Sequence, residues 1–155
     1  MIHDGTGERP LNDTISVELS LFVEHGREQE AADFYTAAFG ARQVDIYAIE
    51  GVPVAVQLLL GSLPLSVVGS NPKREQQPSH GGPFFPKKAG AVSAILRLNV
   101  NDLDGAMQKA VSAGAAIRDP VQADGTGRRI ASVFDPFGHI WGLAERTAKE
   151  VRQAA

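Results

Sequence analysis

The chain has 155 residues, 15 basic and 18 acidic side chains, 43% hydrophobic residues and no cysteine. At ~100–200 residues per domain it makes one domain or two small fused halves, large enough to fold without disulfide or zinc staples. The missing cysteine excludes thiol catalysis and cysteine-held metals, and a net charge of −3 with scattered Arg and Lys gives no basic field for nucleic acid.

Residues 1–13 are polar and contain Gly and Pro, which predicts a mobile arm. That start lacks the basic-then-apolar order of a signal peptide. The most apolar stretch, Val52 to Gly69, is interrupted by Pro53, Gln57, Gly61 and Pro64, short of the ~20 apolar residues a membrane helix needs. The expectation is a soluble cytoplasmic protein.

Ile15 to Val23 alternates apolar and polar residues as a half-buried strand does, with Glu18, Ser20 and Phe22 on one face. From Arg27 to Phe39 the period changes to a helical one, carried by Ala31, Phe34, Tyr35 and Ala38 and stopped by Gly40. Three short strands follow, Arg42 to Ile49, Val54 to Leu60 and Leu63 to Val68, joined by tight turns at Glu50-Gly51 and Gly61-Ser62. Residues 71–90 are rich in Pro, Gly and charge without a period, which predicts a long connection with Phe84 and Phe85 in its middle.

The second half repeats the plan. Val92 to Val100 alternates as a strand, and Asp102 to Ala113 reads as a helix that Asn101 or Asp102 could cap. Ile117 to Gln122, Arg129 to Phe134 and His139 to Ala144 supply three more strands, and Glu145 to Ala155 a short helical or frayed tail. Landmarks recur at nearly constant offsets: Val23 to Val100 is 77 positions, Gly40 to Gly114 is 74 and Gly61 to Gly138 is 77. The pattern predicts an α+β protein of two tandem βαβββ modules, residues 14–70 and 91–145, with a connecting loop 71–90 and a tail 146–155. Two such sheets can curl into an eight-stranded mixed arrangement around a cavity with helices outside, and a cavity is where a ligand would sit.

The stretches ADFYTAAFGA (Ala32 to Ala41), LRLNVNDLDGAMQKAVSAGA (Leu96 to Ala115) and DPFGHIWGLA (Asp135 to Ala144), in that duplicated frame, resemble the vicinal oxygen chelate superfamily. That superfamily includes glyoxalase I, extradiol dioxygenases, fosfomycin-modifying enzymes and bleomycin-binding proteins. FYxxAFGA and DPFGHxW are most similar to its PhnB-like, glyoxalase-related branch. No GxSxG, Walker or HExxH motif is present, so triad-hydrolase and nucleotide-triphosphatase readings have no support.

Metal-using members of this superfamily hold a divalent cation on His, Glu or Gln as a Lewis acid for vicinal oxygens. Carried across, the resemblance puts metal ligands at Glu18 and Gln57. The matching second-half positions are Ile95 and Gly142, which cannot ligate, so the set is incomplete. A one-residue slip of the first strand would offer His25 in place of Glu18.

The resemblance turns Arg97, with Asn99 two positions on, toward the cavity, where a buried guanidinium would grip an anion or pair with Glu18. Phe22, Phe84, Phe85 and Arg129 complete the candidate ligand-binding residues, the phenylalanines as apolar contacts and Arg129 at the rim. His139 and Trp141 read as a turn hydrogen-bonder and a core residue. The expectation is a small-molecule binding protein of the glyoxalase and bleomycin-resistance type, without a cofactor, holding an aromatic or anionic ligand in a homodimer cavity. The alternative is a divalent-metal-dependent lyase, isomerase or dioxygenase.

Overall fold

The structure is a computed structural model that describes residues 14–154. The expected arm at residues 1–13 lies outside the described residues. Strand β1 is Leu19–Val23, shorter than the alternation suggested, and it leads into helix α1, Glu28–Phe39. Strands β2 (Arg42–Ile49), β3 (Val52–Leu60) and β4 (Leu63–Gly69) follow.

The connection 71–90 is not wholly irregular. Pro72–Glu75 forms one helical turn, α2, because Asn71 Oδ1 accepts from the Lys73 N–H at 3.0 Å and a proline occupies the first position. Pro78–His80 adds a single 3-10 turn. The second module then runs β5 (Ile95–Val100), α3 (Leu103–Ala113), β6 (Ala116–Ala123), β7 (Arg129–Phe134) and β8 (Ile140–Glu145), and α4 is Ala148–Ala154. No helix among the described residues is long and apolar enough to cross a membrane.

Local chemistry sets the helix ends. Gly40, at φ 75°, lets its own N–H and that of Ala41 turn back to Thr36 and Tyr35 carbonyls, closing α1. Asp102, the nearer of the two candidate caps, accepts from the Gly105 N–H at 3.0 Å and starts α3. At the start of α1 the buried Glu28 reaches back to the Gly26 N–H at 2.8 Å. Its second oxygen lies 3.2 Å from His25 Nδ1 without a hydrogen-bond alignment.

The eight strands form two four-stranded sheets, ordered β1-β4-β3-β2 and β5-β8-β7-β6. In each, the first strand pairs in parallel with the last and the other pairs are antiparallel, so the duplicated βαβββ plan is present. One face of each sheet is covered by its helix: Leu21, Val56, Leu58, Leu65 and Val67 under α1, and Ala131, Val133, Trp141 and Leu143 under α3. Burying each large side chain of this set contributes roughly 1.5–3 kcal/mol. Helices α1 and α3 also pack on each other, so the helix-covered faces turn inward and the other faces look out to solvent. The described residues of one chain do not close a cavity between those open faces.

The modules are clamped by a buried carboxylate. Asp135, in the turn between β7 and β8, accepts at Oδ1 from the Phe137 and His139 N–H groups (2.8 and 3.0 Å). At Oδ2 it accepts from the Tyr35 hydroxyl (2.5 Å) and Trp141 Nε1 (2.9 Å). The first donor on Oδ2 comes from α1 and the second from β8, so the same oxygen joins both halves. Around it, the Tyr35 ring packs 5.2 Å from Trp141 and 5.3 Å from Phe34.

Burial, and then the negative charge of Asp135, holds the Tyr35 hydroxyl well above its ordinary value of 10.0. The folded state therefore resists deprotonation that the unfolded chain accepts. The resulting stability is fully present below about pH 10 and is lost as pH rises toward the folded-state value. Tyr35→Phe is expected to cost about 1–3 kcal/mol at neutral pH in urea denaturation, and to flatten the alkaline loss of stability. Gly69 faces Glu28: a Cβ there would overlap Glu28 Oε2 and stand 2.8 Å from Cδ. Gly69→Ala should accordingly destabilise the protein by about 1–3 kcal/mol, with most of the loss absent in a Glu28→Ala background.

Candidate functional site

Strand register lines up one polar row across the middle of each open face. In the first sheet the row is Ser20, Ser66, Gln57 and Asp45. In the second it is Arg97, Gly142, Ser132 and Asp119. Side chains alternate between faces along a strand, so these rows lie opposite the helix-covered core. Both rows are bordered by apolar residues that remain exposed, Tyr47 on the first face and Ile95 on the second.

On the first face, Glu18 stands just ahead of β1 and shares a groove of about 300 Å³ with Gln57, Ser66, Val44 and Arg42. The two metal-ligand candidates are thus brought together, with a guanidinium beside them. Ile95 and Gly142 are also neighbours, but on the second sheet, where a Cβ on Gly142 would lie 3.6 Å from Ile95 Cγ2. An isopropyl-like wall and a missing side chain offer no donor. Among the described residues no three His, Asp or Glu side chains converge as a ligand set. One carboxylate and one neutral amide next to an arginine do not fit a divalent cation, which takes four to six donors.

Arg97 and Asn99 line a groove of about 370 Å³ with Phe39, Leu63 and Arg146. Arg97 is exposed in the single chain, so burial does not force a counter-ion on it, and it forms no ion pair among the described residues. The cross-sheet pair with Glu18 weighed from the sequence is not made. At the other end of the same row, Ser132 Oγ donates to Asp119 Oδ2 at 2.6 Å while Arg118 Nη1 bonds both, at 3.2 and 3.0 Å. This trio escaped the sequence reading, since a bulge at Ile117 to Asp119 sets which of these side chains share a face.

The remaining candidates fall elsewhere. Phe22 and Phe84 meet in a groove of about 310 Å³ that also includes His139. Phe85 instead lies under the Lys87 ammonium, 3.7 Å from the ring centre. Arg129 is held by Asp104 at 2.8 Å and Glu145 at 3.1 Å. Its hydrogen bond to Asp104, then that to Glu145, pushes its pKa further up. That pairing ties β7 to α3 and β8. Arg128 is likewise taken, by Glu150 of α4 at 2.6 Å. His25 sits beside Glu28 rather than in the Glu18 groove.

The sequence model of the family described as Glyoxalase/Bleomycin resistance protein/Dioxygenase superfamily matches residues 26–143. An uncharacterized protein of Mycobacterium bovis is 28% identical over 116 residues, 74% of each chain. A glyoxalase-related enzyme from Fulvimarina pelagi superposes with a TM-score of 0.64 at 23% identity, covering 84% of this chain and 88% of that one. A fosfomycin resistance protein, FosX, from Listeria monocytogenes, solved with Mn(II) and sulfate, gives a TM-score of 0.63 at 11% identity, covering 92% and 98%. At those identities the two structures show likeness of fold.

The open space at Gly142 is a point that can be checked directly. A Cβ there meets only ordinary van der Waals neighbours, and glycine in a strand costs about 0.5–1 kcal/mol relative to alanine. Gly142→Ala should therefore leave thermal stability unchanged or raise it by up to about 1 kcal/mol; a loss would show that something tighter occupies this face.

Proposed function

Because the chain belongs to the Glyoxalase/Bleomycin resistance protein/Dioxygenase superfamily, we propose that it binds a small anionic or aromatic molecule between two copies of itself, without a divalent-metal centre. One observation carries this reading. At the middle of the second open face, where metal donors would be needed, Arg97 stands next to Gly142 and Ile95, so the face offers a cation and a notch instead of ligands. A guanidinium with room beside it suits a carboxylate or phosphate, which it can meet with two parallel hydrogen bonds.

The second copy is part of the proposal. Among the described residues, each sheet leaves one broad face and its outer strand edges without a partner. Exposed Val44 and Tyr47 on the first module, and Ile95 on the second, are apolar surface that pairing would remove from water. Setting the first face of one copy against the second face of another encloses both polar rows. Arg97 then looks across at Glu18, Ser20 and Gln57 of a different copy, and the ligand lies between them. The likeness of FYTAAFGA and DPFGHIW to the PhnB-like branch supports the same two-copy reading.

The shared groove of Glu18 and Gln57 favours a second reading, a metal-dependent lyase, isomerase or dioxygenase with donors completed across the pair. Untagged protein distinguishes the two readings. In the first, light scattering gives a dimer, and benzoate or phenyl phosphate binds calorimetrically with or without EDTA. Arg97→Ala then weakens binding by about tenfold or more, as loss of a charge-assisted hydrogen bond of about 1.5–3 kcal/mol requires. Near-stoichiometric Mn, Fe, Co, Ni or Zn that disappears in Glu18→Ala would overturn this reading in favour of the second.

A further inference from the structure

We propose that the groove between the two modules is a separate binding site, for a small planar aromatic molecule carrying one hydrogen-bond donor, a phenol or an N–H heteroaromatic. The groove, about 310 Å³, runs along the outer edge of β1 and is closed on its far side by the connecting loop and the start of β5. Its walls are apolar and partly ring-shaped: Phe22, Pro83, Phe84, Pro86 and Leu96. Phe84 is 40% exposed although it is surrounded by other apolar groups, so its ring face is available to a ligand.

The one imidazole in this groove is His139, which is 8% exposed. Its backbone is locked into the clamp turn, its N–H donating to Asp135 Oδ1 and its carbonyl accepting from the Asp135 N–H at 2.9 Å. Its Nε2 lies 2.7 Å from the Phe22 carbonyl oxygen. A carbonyl only accepts, so Nε2 carries the proton, and in the neutral ring Nδ1 holds a lone pair. No described residue bonds Nδ1, and the buried polar side-chain atom left without a partner among the described residues is Glu28 Oε2, not Nδ1. With no described partner of its own, Nδ1 is the polar atom that His139 brings to the groove it lines. A fixed acceptor on an apolar, aromatic-walled floor selects a flat ring that brings one donor.

Arg97, Glu18 and Gln57 take no part in this groove, which shares only Ser20 with the anion site proposed above. The ring face of Phe22 and the Phe84 loop give it contacts from both the first module and the connection, which explains why the two phenylalanines separate from Arg97 and Phe85.

Indole and benzofuran, which share a shape but differ in the N–H, test the proposal on the full chain by nuclear magnetic resonance titration. Indole is expected to bind and to shift the His139 Nδ1 resonance in a long-range proton–nitrogen spectrum. Benzofuran should bind about fivefold more weakly, or not at all, for want of the donor. Phe84→Ala, at an exposed loop position, should weaken indole by a similar factor while Arg97→Ala leaves it unchanged. Equal affinity for the two probes, an unmoved Nδ1 resonance, sensitivity to Arg97→Ala, or no indole binding up to its solubility limit would each overturn the proposal.

Discussion

Asp135 is the constraint on which the rest of the molecule depends. A carboxylate that is 4% exposed has given up its hydration, and an unmatched buried charge costs several kcal/mol. Four donors meet it here, two from its own turn, one from α1 and one from β8. The Arg27 guanidinium, over the Phe137 ring at 4.5 Å, adds positive charge nearby. Removing the carboxylate leaves the Tyr35 and Trp141 donors without their buried acceptor, and removing a donor weakens its share of the matched charge, so α1, the β7–β8 turn and Trp141 hold one another in place.

That clamp also determines where binding surfaces can be. With α1 and α3 pressed together on the inside, the two helix-free sheet faces have nowhere to go but outward. Each carries a polar row amid exposed apolar residues, which is an expensive way to face water and an effective way to face another surface. The fold thus separates the seam, which holds the clamp, from the outer faces and the groove along β1, to which the proposed binding belongs. Because the seam and the faces use different residues, fold membership says little about chemistry until the rows are read residue by residue.

Much of the architecture was legible in the chain. The near-constant offsets between halves announced the duplication, Gly40 and Asp102 marked helix ends by their own chemistry, and Trp141 fell on the face its alternation required. The site was less so. DPFG reads locally as a turn, and nothing near Asp135 in the chain reveals that its main neighbour is 100 residues away. Arg97 was expected to be buried because a closed cavity was expected, whereas the direction in which a sheet face points is a property of module packing. Arg129 looked like a rim cation, and only the approach of α3 and β8 gives it Asp104 and Glu145. Bulges in β2 and β6 decide which of Val44, Asp45, Ile117 and Asp119 share a face, and a bulge leaves little trace in the sequence.

One turn that differs between the duplicated modules carries the clamp. Between β3 and β4 it is two residues long, Gly61 and Ser62; between β7 and β8 it runs from Asp135 to His139. The longer turn supplies the carboxylate, the Phe137 ring and the imidazole that reaches the Phe22 carbonyl, all directed at the first half. A ribosome adding ~5–20 residues per second delivers Asp135 roughly 5–20 s after Tyr35. During that interval the first half carries its aromatic seam, Phe34, Tyr35 and Phe39, with no acceptor for the tyrosine hydroxyl and no cover for the rings. The clasp is thus made by the last-born part of the fold, and the nascent chain must keep an exposed aromatic patch from other partners until its own second half arrives.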